Sequence, residues 1–363
     1  MKPFRFFAVF LALLAQLSAS AQTPSIYYTE AKDLTLVGKL FPDTPNPYHR
    51  MDTVKYKGLE HGDYINSIQS SGLAVAFRTD SKIIRIQTEY GFRRSGMISP
   101  NIAIHGYDLY IKKDGKWLWA SSGLPKEDAS DKPFTLIQDM DGSMHECLLY
   151  LPLYSEERSI KIGITKGNVI EPLENPFRHR VGIFGSSFTH GGGAARPGMT
   201  YPAIFCRDTG IQLLSLGVSG RSKLQPGFAR ALADADVDAY VFDAFSNPSI
   251  AMIKERLFPF IETIQAKHPD IPLIFMRTIY REGGNFNLRK RKAESDRRDV
   301  ADSLMAIACK KYKNVYYITS TDAASKEHDT SVDGTHPCSY GYFYWARSIE
   351  KPILRILRKY DIR

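Results

Sequence analysis

The sequence predicts an α/β fold, a parallel sheet with helices on both faces, preceded by an antiparallel β-sandwich domain. Three observations carry this. Between residues 26 and 167, short runs rich in β-branched and aromatic residues alternate with turn signals. Residues 171–176, Glu-Pro-Leu-Glu-Asn-Pro, interrupt that pattern with two prolines. From residue 180 onward, five short apolar runs alternate with stretches of helical period.

The chain opens with an export signal. Lys2 and Arg5 supply positive charge, residues 6–17 an apolar run, and Ala19-Ser20-Ala21 a small-residue cleavage site. The run is shorter than the roughly 20 residues that span a bilayer, and no later stretch is longer. The expected organisation is therefore a signal peptide at 1–21, a β-sandwich domain at 22–175 and an α/β domain at 176–363. The expected product is a secreted or periplasmic protein, not embedded in a membrane. What remains of the 363 residues exceeds the roughly 250–300 that one core organises, which also favours two domains.

In the first domain, residues 73–77, 82–90, 108–111, 147–153 and 159–164 form the strand-like runs. Thr79-Asp80-Ser81, Lys113-Asp114-Gly115 and Asp141-Gly142 separate them as turns. No convincing helix lies between, and this is the pattern of a sandwich. In the second domain, residues 180–184, 211–216, 239–243, 271–276 and 314–318 are runs of the fully buried strand kind. Between them, Tyr201, Ile204 and Phe205, then Ile253, Leu257, Phe260, Ile261 and Ile264, then Val300, Leu304, Ile307 and Ala308 recur at helical spacing. In such sheets ligands bind beyond the carboxyl ends of the strands, so the residues just after each strand carry the functional signal.

Composition excludes less. The formal net charge is +9, and the only dense basic run is Arg289-Lys290-Arg291-Lys292 with Arg297-Arg298. It is interleaved with Glu294, Asp296 and Asp299 on an expected helix. That is the pattern of a solvated helix face, with contact to an acidic glycan or nucleic acid as the alternative; no nucleic-acid partner is expected. Cys147, Cys206, Cys309 and Cys338 show no metal-ligand spacing, so no zinc site, and no cofactor, is expected. Cys206 sits on an apolar helix stripe as a small hydrophobe. Pairing of the cysteines stays open.

The chemistry is concentrated at strand ends. After the first parallel strand comes Gly185-Ser186-Ser187-Phe188-Thr189-His190-Gly191-Gly192-Gly193. Glycines on both sides of a serine allow a sharp turn that lifts the hydroxyl out of the sheet. Gly217-Val218-Ser219-Gly220 follows the second strand, and Ala244-Phe245-Ser246-Asn247 the third. Donors arriving from three strand ends fit an acyl-transfer transition state, in which charge grows on one oxygen. Near the C-terminus, Asp333-Gly334-Thr335-His336-Pro337 sets a carboxylate three residues before an imidazole. A serine hydroxyl needs such a base to take its proton, and the base needs a carboxylate to fix its tautomer. Ser186 is the alternative nucleophile, one register step away. His190 either lines the pocket or bonds to backbone. Tyr340, Tyr342, Phe343, Tyr344 and Trp345 serve either the core of the last helix or sugar stacking.

Taken together, Ser187 in Gly-x-Ser, Gly220, Asn247 and Asp333-x-x-His336-Pro337 resemble, in chain order, the four successive blocks of the SGNH or GDSL hydrolases. The resemblance covers residues 180–360 and implies the SGNH hydrolase fold, with a flavodoxin-like parallel sheet. Gly191-Gly192-Gly193 through Arg196-Pro197-Gly198-Met199-Thr200-Tyr201-Pro202 further resembles a bacterial subgroup whose companion is an N-terminal β domain marked Gly-x-Asp-Leu-Tyr. Gly106-Tyr107-Asp108-Leu109-Tyr110 stands in the corresponding half. The resemblance implies Ser187 as nucleophile, His336 as general base and Asp333 as orienting acid. It implies the backbone N–H of Ser187, the backbone N–H of Gly220 and the side-chain amide of Asn247 as oxyanion donors. The family's Gly-Asp-Ser is here Gly185-Ser186-Ser187, and its Gly-x-Asn-Asp is Phe245-Ser246-Asn247-Pro248, a change expected to reshape the pocket floor. The implied activity is hydrolysis of a small acyl ester, acetyl above all, on a carbohydrate. The alternatives are a non-catalytic glycan-binding protein on this scaffold and a long-chain or lipid acyl hydrolase, for which no apolar lid is evident.

Overall fold

A computed structural model of the chain describes residues 25–126 and 132–363. The expected signal peptide, 1–21, lies outside them. Among the described residues, ten strands build the first half: β1 (Ile26–Glu30), β2 (Thr35–Val37), β3 (Ala74–Thr79), β4 (Ile84–Arg93), β5 (Tyr107–Lys113), β6 (Lys116–Gly123), β7 (Phe134–Ile137), β8 (His145–Tyr150), β9 (Ser155–Thr165) and β10 (Ile170–Pro172). They form two antiparallel sheets, one ordered β1-β9-β4-β7 and the other β10-β3-β8-β5-β6, with β2 also on β3.

The alternation of side chains explains how the sheets stack. Ile84 and Ile86 of β4 face Val75, Phe77, Leu109 and Leu149 of the second sheet, and together they form the sandwich core. The opposite face of the second sheet is also covered. Ala74, Ala76, Tyr110, Leu148 and Tyr150 join one core with Phe188, Tyr201 and Trp345 of the second half. Residues 73–77 are therefore apolar throughout, since β3 is buried on both faces.

Two features of this half depart from expectation. Short helices α1 (His61–Ile68) and α2 (Asn101–Ile104) interrupt the strands. The proline-bearing segment begins with a strand, because Ile170–Pro172 pairs with Phe77, Arg78 and Thr79 of β3.

The second half has five parallel strands: β11 (Arg178–Gly185), β12 (Ile211–Gly217), β13 (Ala239–Asp243), β14 (Leu273–Met276) and β15 (Val315–Ile318). Their order is β12-β11-β13-β14-β15, the flavodoxin-like arrangement. All five coincide with the apolar runs to within a few residues. The helices are α3 (Ser187–His190), α4 (Tyr201–Thr209), α5 (Pro226–Ala233), α6 (Ile250–Gln265), α7 (Leu288–Lys311) and α8 (Ser339–Leu357). Helices α4 and α8 cover one face through Phe205, Trp345 and Ile349; α5, α6 and α7 cover the other through Phe228, Leu257 and Met305. Leu40, Phe41 and Met51, from the first half of the chain, are part of that second core.

The basic run lies on α7, with residues 289–292 exposed and Arg297 and Arg298 half-buried. Lys292 pairs with Asp296 at 2.8 Å, and Glu294 takes both Arg297 and Arg281. Cys147 and Cys206 are buried, Cys309 and Cys338 partly so, and all four are free thiols. Burial pushes the Cys206 thiol up to about 12, consistent with a packing role. Among the described residues, no helix is long and apolar enough to cross a membrane, and no group of three or more His, Cys, Asp or Glu could hold a metal ion.

Candidate active site

Strands β12, β11 and β13 end in register, with Gly185 opposite both Gly217 and Asp243. Ser187, Gly220 and Asn247 follow these three adjacent ends by two, three and four residues, which is why separate sequence segments gather at one rim. Gly185 is required there, since an added Cβ would stand 2.0 Å from Thr189 Oγ1. Ser186 caps α3, its hydroxyl accepting from Phe188 N at 3.2 Å. Ser187 is then the first residue of that helix.

The structure joins the three expected residues in one hydrogen-bonded chain. Ser187 Oγ lies 2.8 Å from His336 Nε2, and His336 Nδ1 lies 2.9 Å from Asp333 Oδ2. Asp333 Oδ1 also accepts from Thr335 N at 2.9 Å and His336 N at 2.8 Å, which fixes the carboxylate inside its own turn. Burial acts to raise the Asp333 pKa, but the hydrogen bonds from His336 and Thr335 outweigh it and hold the carboxyl below the usual range. With the carboxylate accepting at Nδ1, that nitrogen carries the proton and Nε2 is free to accept from Ser187.

The two serines are distinguished by what surrounds them. Ser187 keeps 7 % of its surface exposed, whereas Ser186 is 0 % exposed. The Ser186 hydroxyl donates to Asp243 Oδ2 at 2.6 Å, and its N–H reaches the same oxygen at 3.1 Å. Thr189 Oγ1 and Ser246 Oγ complete a set of four donors around Asp243. Burial raises the Asp243 carboxyl although these donors pull the other way. Asp243 ties α3 to the β13 end. Nothing beyond its place as the polar last residue of an apolar run singled it out in the sequence.

His190 is fully buried and bonds to backbone rather than lining an opening. Its Nε2 donates to Leu153 O at 2.6 Å and its Nδ1 accepts from Ser219 N at 3.3 Å, while the ring stacks on Tyr154 at 4.2 Å. Burial, then the nearby Arg50 charge, lowers its pKa well below the ordinary value, so the ring is neutral. The aromatic cluster divides. Tyr342 and Trp345 belong to the core, whereas Tyr340 and Phe343 are exposed. Phe188 meets His336 edge-on at 5.6 Å and Trp345 at 5.5 Å, so the imidazole leans on the core.

Asn247 is half-buried and its Oδ1 accepts from Ser222 N at 3.3 Å, which leaves the NH2 as the donating end of the amide. Phe245, expected to reshape the pocket floor, is 1 % exposed and packs on Phe275 and Tyr317 in the core. The glycine run brings the turn after α3 against the histidine loop. Gly193 has φ +91°, and a Cβ there would stand 2.4 Å from Pro337 O.

The Gly-x-Asp-Leu-Tyr segment, on β5, faces this region from the other half. Fully buried Asp108 accepts from Arg196 Nη1 at 2.7 and 2.9 Å, from Gly198 N at 2.9 Å and from Trp119 Nε1 at 3.1 Å. Its second partner segment is the Arg196-Pro197-Gly198 stretch, so the two motifs are the two sides of one contact. Local sequence could not reveal Arg50, Asp63 and Asn66, which reach the loop around Gly220 from far away in the chain.

This geometry and fold define a serine hydrolase of the SGNH type, with a GDSL-family active-site arrangement. The GDSL-like lipase/acylhydrolase family model matches residues 178–355, and a model for the N-terminus of SGNH-hydrolase-type esterases matches residues 26–170. A protein assigned as a GDSL-like lipase from Bacteroides ovatus is 36 % identical, with TM-score 0.87 over 92 % of this chain and 98 % of that one. The chain belongs to the SGNH/GDSL esterases that carry an N-terminal GxDLY domain. The salicylyl-acyltransferase SsfX3 from a tetracycline biosynthetic pathway shares the fold at 22 % identity, TM-score 0.72, over 92 % of this chain and 98 % of that one. A family two carbohydrate esterase from Cellvibrio japonicus shares it at 10 % identity, TM-score 0.60, over 93 % and 99 %. No curated protein sequence matches the chain.

Proposed function

We propose that this chain is an exported esterase that removes a small acyl group, acetyl, from a carbohydrate, with Ser187 as nucleophile, His336 as general base and Asp333 as its orienting acid. The observation that carries the reading is the unbroken chain Ser187 Oγ, His336 Nε2, His336 Nδ1, Asp333 Oδ2, at 2.8 and 2.9 Å. Ser187 Oγ attacks the ester carbonyl carbon while its proton passes to His336 Nε2. Asp333 steadies the imidazolium. Negative charge on the former carbonyl oxygen is met by the N–H groups of Ser187 and Gly220 and by the Asn247 amide. The intermediate collapses, and the departing sugar oxygen takes the proton from His336. Water, deprotonated by the same ring, then frees the acid and restores the serine.

The sugar part of the reading is supported by the carbohydrate esterases that share the fold, and export by the basic, apolar and small-residue pattern of residues 1–21. One observation favours longer acyl chains. Phe286 and Leu288 are 97 % and 70 % exposed, on the segment whose Gly283 N donates to Gly334 O beside Asp333. A panel of acetylated oligosaccharides and esters of increasing chain length, run with wild type and Ser187→Ala, separates the readings. The proposal expects the highest kcat/KM on acetyl esters and none in Ser187→Ala. Rates that climb with chain length would move the assignment to lipid-like substrates. Turnover that survives in Ser187→Ala would end it.

A further inference from the structure

Gly220 sits in open space: its φ is +72°, and a Cβ added to it would meet no atom within 4 Å. The residue is exposed and carries no side chain to anchor it, so the direction of its N–H is set by its neighbours. Both neighbours are held by the same helix from the first half of the chain. On one side, Ser219 N donates to Asn66 Oδ1 at 3.1 Å, sharing the same N–H with His190 Nδ1 at 3.3 Å. On the other, Arg221 Nε donates to Asp63 Oδ1 at 2.9 Å, and its Nη2 donates to Glu60 just ahead of the helix. Asn66 and Asp63 are buried on α1.

Helix α1 is itself fastened at both ends. Glu60 and Asp63 form a reciprocal capping box at its start. At its end, fully buried Arg50 donates to the orphan carbonyls of Asn66 and Gln69, and its remaining nitrogen, Nη1, donates to Gly217 O at 2.8 Å. The cation thus staples the helix terminus to the last residue of β12, three positions before Gly220. A buried guanidinium is costly unless its donors are used, and here each of its three nitrogens has a backbone carbonyl.

We propose that Asn66, Asp63 and Arg50 are positioning residues that aim the Gly220 N–H at the developing oxyanion, making the N-terminal half part of the catalytic apparatus. This rests on the esterase reading above. Misplacing a donor by a fraction of its bond length weakens the transition state more than the bound substrate. Asn66→Ala should therefore lower kcat on a chromogenic acetyl ester about 10- to 100-fold while KM stays within about threefold. Affinity for a boronic acid, which forms a tetrahedral adduct on the serine, should fall by the same factor. Arg221→Gln, at the outer side of the clamp, should give the same split to a smaller degree and serves if Asn66→Ala does not fold. Variants with kcat within twofold of wild type, or with KM raised at unchanged kcat, would overturn the proposal while leaving the esterase reading intact. A wild-type protein that neither hydrolyses esters nor takes the boronate would defeat both.

Discussion

Asp108 couples the two halves of the chain directly, through Arg196 and Gly198, and the structure sets the size of that coupling. Its side chain is fully buried and that of Arg196 is 21 % exposed, so the pair is only partly screened. Asp108→Ala would leave the Arg196 guanidinium without its carboxylate and the buried Gly198 N–H without an acceptor. Breaking a buried pair from one side costs about 3–5 kcal/mol, and the partial exposure of Arg196 places this case near 3. The unpaired amide adds about 1–3 kcal/mol. Denaturant unfolding of Asp108→Ala, Arg196→Ala and the double variant isolates the pairwise part. The expected coupling energy is about 2 kcal/mol, with both single variants destabilised. A coupling below about 0.5 kcal/mol would refute the view that this motif latches the β domain to the hydrolase domain.

Other consequences can be checked on the same protein. Ser186→Ala removes a buried hydrogen bond to Asp243 and should cost about 1–3 kcal/mol of stability while keeping turnover within about tenfold; equal loss in Ser186→Ala and Ser187→Ala would blur the two roles. Asp333→Asn keeps the shape of the turn but not its charge, and kcat should fall on the order of 10³- to 10⁴-fold, measured with saturating acetyl ester. Glu157, buried in the sandwich, is pushed up to about 8 by burial, despite hydrogen bonds from the Thr88 and Tyr107 hydroxyls. Its folded pKa therefore exceeds the unfolded value of 4.5, the folded state holds the extra proton between these values, and stability falls as pH rises from 4.5 to 8. The loss is at most about 5 kcal/mol. Glu157→Gln should flatten that slope in thermal melts; an unchanged slope would contradict the assignment.

The parallel sheet was legible because its strands are buried on both faces and so appear as continuous apolar runs. Ser187, Asp333 and His336 were legible through the glycine-flanked turn after β11 and the Asp-x-x-His spacing near the C-terminus, although only Ser187 stands at the start of a regular element, α3. Residues 73–77 gave the right strand, but that its alanines face a second core depends on contacts with residues more than 100 positions away. The same holds for Arg50 and Asn66. In the sequence one is an unremarked basic residue and the other lies in a segment with no marked period, and only the folded chain brings them to the β12 end. Phe245, noted in the sequence only as a departure beside Asn247, turns its ring inward onto Phe275 and Tyr317, a placement set by residues distant in the chain.

The most direct test of the account is to treat the folded protein with a fluorophosphonate and map the adduct by peptide mass spectrometry, in wild type and in His336→Ala. A single modified residue, Ser187, is expected, with labelling slowed by orders of magnitude when the imidazole is gone. Modification at Ser186, or equally fast labelling without His336, would contradict it.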